Sequence, residues 1–199
     1  MTAETLEVAK TRVAEAVDRL ADELEKISHQ IHANPELCFQ EHKASGWLAD
    51  FLASQGAAVE RGVGGLPTAF RATIAGRGPG PTIAIMAEYD ALPNIGHACG
   101  HNVIATAGAG AGAAIAAALT TLPFPGRIQV IGTPAEEGGA GKVRLMDAGV
   151  FRDVDAAMMI HGRCGTQVWR PSLGIIKVTV EYFGQAAHAS SWPGAASTR

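Results

Sequence analysis

The sequence predicts an α/β fold, a sheet flanked by crossover helices, on three observations. Short apolar runs bounded by Gly and Pro alternate with helical patterns in the order strand, helix, strand, helix, strand. Two of the runs, TIAIMAEY and RIQVIGT, are almost entirely apolar, as strands covered on both faces are. Polar residues crowd just after the runs, at the C-terminal strand edge where open α/β sheets form their sites.

The elements follow in order. Leu6, Val13, Val17, Leu20, Leu24, Ile27 and Ile31 recur at helical spacing and make one apolar stripe on a long first helix. It ends near Asn34-Pro35, because the residue before a proline is pushed out of the helical region. A second helix is expected from Glu41 to Ser54, with Trp47, Leu48, Phe51 and Leu52 inward and Gly56 closing it. Thr68–Ile74 and Thr82–Tyr89 read as strands. A helix of small residues follows from about Asn102 to Leu119, then the strand RIQVIGT, a helix over Gly141–Ala148 and a strand over Ala156–Ile160. Beyond Pro171 the pattern changes: GIIKVTVEYFG alternates and has no crossover helix, as the opening of a separate antiparallel unit would. A lone hairpin is marginal in water, so this second unit is expected to be cut off.

Composition narrows the function class. The 199 residues are 47% hydrophobic and 18% charged, enough apolar material for a core and unlike a disordered or collagen-like chain. A net charge of -3 lacks the basic stripe of a nucleic-acid binder. Cys38, Cys99 and Cys164 are odd in number and far apart, which argues for a reducing, cytoplasmic setting. The charged N-terminus has no signal-peptide core. The uncharged stretch 103–119 is mostly Ala and Gly and reads as a buried, closely packed helix, not a membrane span.

Four clusters could carry chemistry. Cys99 and His101 lie two apart in GHACGHN, and a thiolate and an imidazole suit Zn or a similar cation; a buried Cys and a helix-capping His are the ordinary alternative. Glu136 and Glu137 follow an apolar strand. On an extended backbone neighbours point in opposite directions, so one could bind metal while the other faces a substrate water; solvated surface charges are the alternative. His161 ends the apolar run AAMMI, where a satisfied core histidine would be ordinary. His188 lies in the second unit, where a surface histidine would be ordinary. Three successive strand ends that together supply Cys, His, Glu and His are harder to explain separately.

The motifs AEYDALPNIGHACGHN and GTPAEEGGAGK, within a stretch running from IHANPEL to AHASSWPG, resemble the M20 family of metallopeptidases and amidohydrolases. Within its amidohydrolase branch they look most like the aminobenzoyl-glutamate hydrolase and β-alanyl-lysine dipeptidase subgroup. The resemblance implies a zinc-exopeptidase-like catalytic domain, a mixed sheet flanked by helices, followed by an α+β lid or dimerisation domain. Residues 1–171 would be the incomplete catalytic metal-binding domain and 172–199 the start of a truncated lid. It implies two divalent metal ions, with Cys99, His101, Glu137 and His161 as ligands and Glu136 as general base. Asp90 would orient a ligand through a hydrogen bond, although a turn-forming Asp is an equal alternative. His188 would help stabilise the tetrahedral oxyanion, often across a dimer interface. Glu36 in NPEL is expected to be structural only.

Two departures bear on the pocket: Asn102 stands where many relatives have Asp, and Gly162-Arg163 follow His161 where relatives more often have Pro nearby. Family members are also much longer, and their catalytic domain resumes after the lid with one last metal-binding His. The implied reaction is metal-assisted hydrolysis of a small N-acyl amino acid or dipeptide, with a homodimer formed through the lid when full length, and with neither nucleic acid nor membrane as partner. Zn or Mn is expected, and the donor set also admits Co or Ni. Two rivals remain open at this point: an inactive fragment or non-catalytic metal-binding or partner protein, and a cysteine hydrolase with Cys99 as nucleophile, for which His101 is poorly placed as base.

Overall fold

The computed structural model describes residues 3–119 and 124–168, together with residues 174, 176, 178–181, 183–188, 190–192, 194–195 and 197–198. It divides into two units, Met1–Arg163 and Cys164–Arg199.

In the first unit, helix α1 (Ala3–Ala33) and helix α2 (His42–Ser54) precede a four-residue strand β1 (Ala58–Arg61) and a 3-10 turn at Val63–Gly65. Strands β2 (Phe70–Ala75) and β3 (Thr82–Ala87) lead into helix α3 (His101–Leu119) and strand β4 (Arg127–Gly132). Two short helices, α4 (Glu136–Gly139) and α5 (Gly141–Asp147), precede strand β5 (Ala156–Met158). The strands form one mixed sheet in the order β1-β2-β4-β3-β5. The pairs β1–β2 and β2–β4 are antiparallel, whereas β3 runs parallel to both β4 and β5. The three parallel strands therefore share one C-terminal rim, and Glu88–Asp90, Glu136–Glu137 and His161 all follow strands that end there.

Helices α1, α2 and α3 cover one face of the sheet. Ile31, Leu48, Leu52, Phe70, Ile85, Tyr89 and Val130 form the core of that layer. The other face packs Ala84 and Ile131 against Leu145 of α5, with Leu66, Ala69 and Val150. The alternation of Ile85 and Ala84, or Val130 and Ile131, between the two cores is what a doubly covered strand requires. Helix α3 lies close on the sheet: a Cβ at Gly112 would come within 2.3 Å of Val130 Cγ2. No helix of the described residues is long and apolar enough to cross a membrane.

Several expectations shift. The apolar stripe of α1 is buried in its second half, at Ile27 and Ile31, while Leu6 and Val17 are exposed. At about 1.5 Å per residue the 31 residues of α1 outrun the 19 of α3, its principal packing partner, by roughly 18 Å. The carboxylate of Glu36 accepts the backbone N–H groups of Lys43 (2.9 Å) and Ala44 (3.0 Å), so it caps the N-terminus of α2 from outside the helix, consistent with the structural role expected of it.

In the second unit, strands β6 (Gly184–Gln185) and β7 (Ser197–Thr198) pair antiparallel. Of the alternating run 174–184, Ile175, Lys177 and Tyr182 lie outside the described residues; among the described ones only Gly184 is in a strand.

Candidate functional site

The turn from β3 into α3 positions the first donors. Gly100 sits at φ +81°, a left-handed conformation that glycine adopts without strain, and it separates Cys99 from His101, the first residue of α3. His101 is fully buried. Its Nδ1 lies 2.8 Å from the Asp90 carbonyl oxygen and 3.1 Å from Asp90 Oδ1. Both partners are acceptors, so Nδ1 carries a proton and donates, and in the neutral ring the lone pair is then on Nε2. Asp90 Oδ2 accepts the Glu137 N–H at 2.9 Å and lies 3.6 Å from Cys38 Sγ. One carboxylate thus orients the imidazole and anchors the backbone of the glutamate pair.

Glu136 and Glu137 do not lie on extended chain. They open the short helix α4, in which neighbouring side chains diverge by about 100° and not by the 180° of a strand. Glu136 Oε2 and Glu137 Oε1 accordingly both lie 3.8 Å from His101 Nε2. The residue before them, Ala135, adopts φ +58°, a strained conformation for a residue with a Cβ. Glu41, buried at 0% exposure, holds it in place. Glu41 Oε1 accepts the N–H groups of Ala135 (2.9 Å) and Phe39 (2.9 Å), and Oε2 accepts the Thr68 hydroxyl (2.8 Å).

His161 Nε2 approaches Cys99 Sγ to 3.8 Å, and its ring stands edge-on to His101 with centroids 6.4 Å apart. Donor atoms of Cys99, His101 and His161 lie within 4.8 Å of one another, as do those of His101, Glu136 and Glu137. His101 belongs to both groups. Donors bound about 2.0–2.3 Å from one ion lie roughly 3.3–3.8 Å apart, and the Cys99–His161, His101–Glu136 and His101–Glu137 separations of 3.8 Å stand at the upper end of that range. His101 Nε2 is buried without a hydrogen-bond partner, the state of a lone pair that has a cation as its natural partner. The thiol, imidazole and carboxylate set suits a divalent transition ion.

The electrostatics point the same way. Burial, then the charges of Glu137, Glu136 and Glu88, push the Cys99 thiol up to about 11. Burial and the Glu88 charge hold Glu136 above the usual carboxylate range, against the pull of Lys142. Burial lowers His101, but the Asp90 hydrogen bond and the charges of Glu88 and Asp90 outweigh it and leave the imidazole above its ordinary value. Asp90 is desolvated, yet the His101 and Glu137 hydrogen bonds keep it below the usual range. Several anionic groups around one buried lone pair make a field that favours a cation.

Two residues at this rim were not singled out from sequence. Glu88, one residue past β3, is 2% exposed, and its Oε2 lies 3.4 Å from His101 Nε2. Lys142 on α5 donates from Nζ to Glu88 Oε1. Glu88 stands at the end of an apolar strand and inside the motif AEYDALPNIGHACGHN, and neither place distinguishes it from its neighbours. His188 belongs to the second unit, where Ser190 Oγ lies 2.9 Å from its Nδ1.

Residues 84–196 match the model of peptidase family M20/M25/M40. The chain belongs to this family. It is 42% identical over 198 residues to the Xaa-Arg dipeptidase of Mus musculus, covering 94% of this chain and 46% of that protein. It is 35% identical over 185 residues to a p-aminobenzoyl-glutamate hydrolase polypeptide of Escherichia coli (strain K12), covering 84% of this chain and 38% of the relative. Among solved structures, the Bacillus subtilis YXEP protein, described as a dinuclear metal-binding peptidase from the M20 family, superposes with a TM-score of 0.65 at 29% identity; the match covers 73% of this chain and 44% of that one. The resemblance of the motifs to the M20 family and the α/β architecture are both borne out. The chain spans about half the length of the curated M20 relatives it matches.

Proposed function

We propose that this chain carries the metal-binding part of an M20 hydrolase that cleaves the amide bond of small N-acyl amino acids or dipeptides. The observation that supports this most directly is the meeting of Cys99, His101, Glu136, Glu137 and His161, drawn from three strand ends, around one buried imidazole. The relatives' names, a dipeptidase and an aminobenzoyl-glutamate hydrolase, support the substrate class. The neighbour's description supports a pair of divalent ions.

In this proposal Cys99, His101, Glu137 and His161 are the ligands, and the ions are Zn or Mn, with Co or Ni also compatible with the donors. Divalent cations bound there supply a water acidified toward neutral pH and polarisation of the scissile carbonyl. Asp90 keeps the His101 lone pair turned toward the ions and fixes the start of α4. Glu136, the more exposed of the pair and raised in pKa, takes the proton of the attacking water and returns it to the leaving amine. His188 is assigned an oxyanion-stabilising role in the whole protein, which would be a homodimer formed through the lid. Residues 1–171 would be catalytic and 172–199 the lid's beginning. The three free thiols suit a cytoplasmic location.

One observation favours a second reading: His161 stands close enough to Cys99 to serve as base to a thiol nucleophile. Against it, a thiol pushed up to about 11 by burial and carboxylates is the reverse of an activated cysteine. The deciding experiment is Glu136→Gln in the protein, assayed on a dipeptide and on an N-acyl amino acid, with metal content measured in parallel. Turnover should vanish while bound metal is retained, and chelation of the wild type should abolish activity that Mn or Zn restores. Normal turnover by the variant refutes the general-base assignment, and activity indifferent to chelation supports the thiol reading.

A further inference from the structure

The geometry points to Glu88 as a further ligand. We propose that its Oε2 binds the same divalent ion as His101 Nε2, while Lys142 holds Oε1 and limits the carboxylate to one donor atom. This rests on the metal-centre reading above and extends it to a residue outside the Cys99, His101, Glu137 and His161 set.

Two polar atoms of the rim face each other without a partner. Asp90 takes the Nδ1 proton of His101, so Nε2 presents a lone pair. Opposite it, 3.4 Å away, stands Glu88 Oε2, a carboxylate oxygen that is also an acceptor. Neither atom has a hydrogen-bond partner, and both are buried. Two buried acceptors in this arrangement need a positive species between them, a proton on Nε2 in the metal-free chain or an ion in its place, and a buried acceptor left unsatisfied is costly. The spacing is that of two donors on one ion.

Lys142 explains why the carboxylate presents one oxygen and not two. Its ammonium engages Oε1 from α5, on the side away from the imidazole's partner atom. The pair also offsets charge: around His101 stand Glu88, Glu136, Glu137 and Asp90, and Lys142 is the cation that balances Glu88. A carboxylate whose charge is shared with a lysine contributes a donor atom without adding a full negative charge to the ion. That leaves the ion a stronger Lewis acid than an unpaired carboxylate would.

The test uses Glu88→Gln, which preserves shape, with Glu88→Ala beside it and thermal melts to confirm folding. Co(II) and Zn(II) binding are followed by titration, and the visible bands of the Co(II)-loaded protein are recorded. The expected result is a loss of affinity for one ion at least as large as the roughly 10- to 100-fold that losing an outer-shell partner costs, with changed position and intensity of the Co(II) bands as one carboxylate leaves the shell. Weakened affinity with unchanged bands overturns the proposal, because Glu88 would then act only through His101. Unchanged affinity and bands overturn it as well. If the wild type binds neither ion, the metal-centre reading itself fails and this inference falls with it. If the wild type binds and Glu88→Gln is indistinguishable from it, only this inference fails.

Discussion

Replacing Glu41 tests how the rim is held together. Its carboxylate is the acceptor for the Thr68 hydroxyl and for the N–H groups of Phe39 and Ala135, and Thr68 and Ala135 are 1% and 0% exposed. Glu41→Ala leaves those two buried donors unsatisfied at about 1–3 kcal/mol each, so about 2–6 kcal/mol is expected. Against a typical total of about 5–15 kcal/mol, that is a large fraction. Glu41→Gln should behave differently. Its carbonyl can still accept from Ala135 and Phe39, and its amide can donate to Thr68, whose hydroxyl reverses its role. Its cost should stay below about 1 kcal/mol, since the weaker neutral bonds are offset by removal of a desolvated charge. Urea unfolding followed by the fluorescence of Trp47 on α2 reads both numbers. The pH dependence adds a second criterion. Burial raises the pKa of Glu41, so in the window above the ordinary carboxylate value the folded chain holds more protons than the unfolded one. Stability contributed by this group therefore falls as pH rises through that window, and Glu41→Gln lacks the decline. Relative to wild type, Glu41→Gln should gain as pH rises. A cost for Glu41→Ala below about 1 kcal/mol, or equal costs for the two variants, would refute the argument.

Two further outcomes follow from the hydrogen bonds and the field at the site. Asp90→Asn puts an amide where both His101 Nδ1 and the Glu137 N–H use carboxylate acceptors, so one of the two loses its side-chain acceptor, although His101 Nδ1 keeps the Asp90 main-chain carbonyl. Metal affinity in a chelator competition should drop roughly 10- to 100-fold, and unchanged affinity would mean that the Asp90 carboxylate orients nothing. With its thiol near 11, Cys99 is protonated at pH 7.5, so binding an ion there must expel that proton. Calorimetric titration in two buffers of different ionisation enthalpy should show Cys99→Ser releasing about one proton fewer than wild type. Equal release by the two proteins would remove Cys99 from the ligand set.

Apolar residues at helical spacing made α1 and α2 legible, and unbroken apolar or small-residue runs did the same for β3, α3 and β4. Strand β1 escaped: AVER is four residues with two charges at a sheet edge, and only its pairing with β2 makes it a strand. Helix α4 escaped because EEGG has poor helix propensity. Its start is imposed by contacts distant in sequence, Glu41 on Ala135 and Asp90 on Glu137. The same reason hid part of the site. Cys99, His101, Glu136, Glu137 and His161 are residue types in spacings that suggest chemistry, whereas Glu88, although it follows β3 within a motif, owes its significance to its burial and to a lysine 54 positions away. A run of letters shows which residues end a strand; it does not show which of them the helices will seal from water.

Helix α3 also has a mechanical consequence. It rests on β4 at a separation that only a side chain of one hydrogen allows at position 112, and His101 is the first residue of the same rigid cylinder. The depth of the imidazole in the rim is therefore calibrated three turns away, in the middle of the apolar interior. Core and reactive edge share a single dimension, and a bulkier interior would be felt first as a displaced nitrogen.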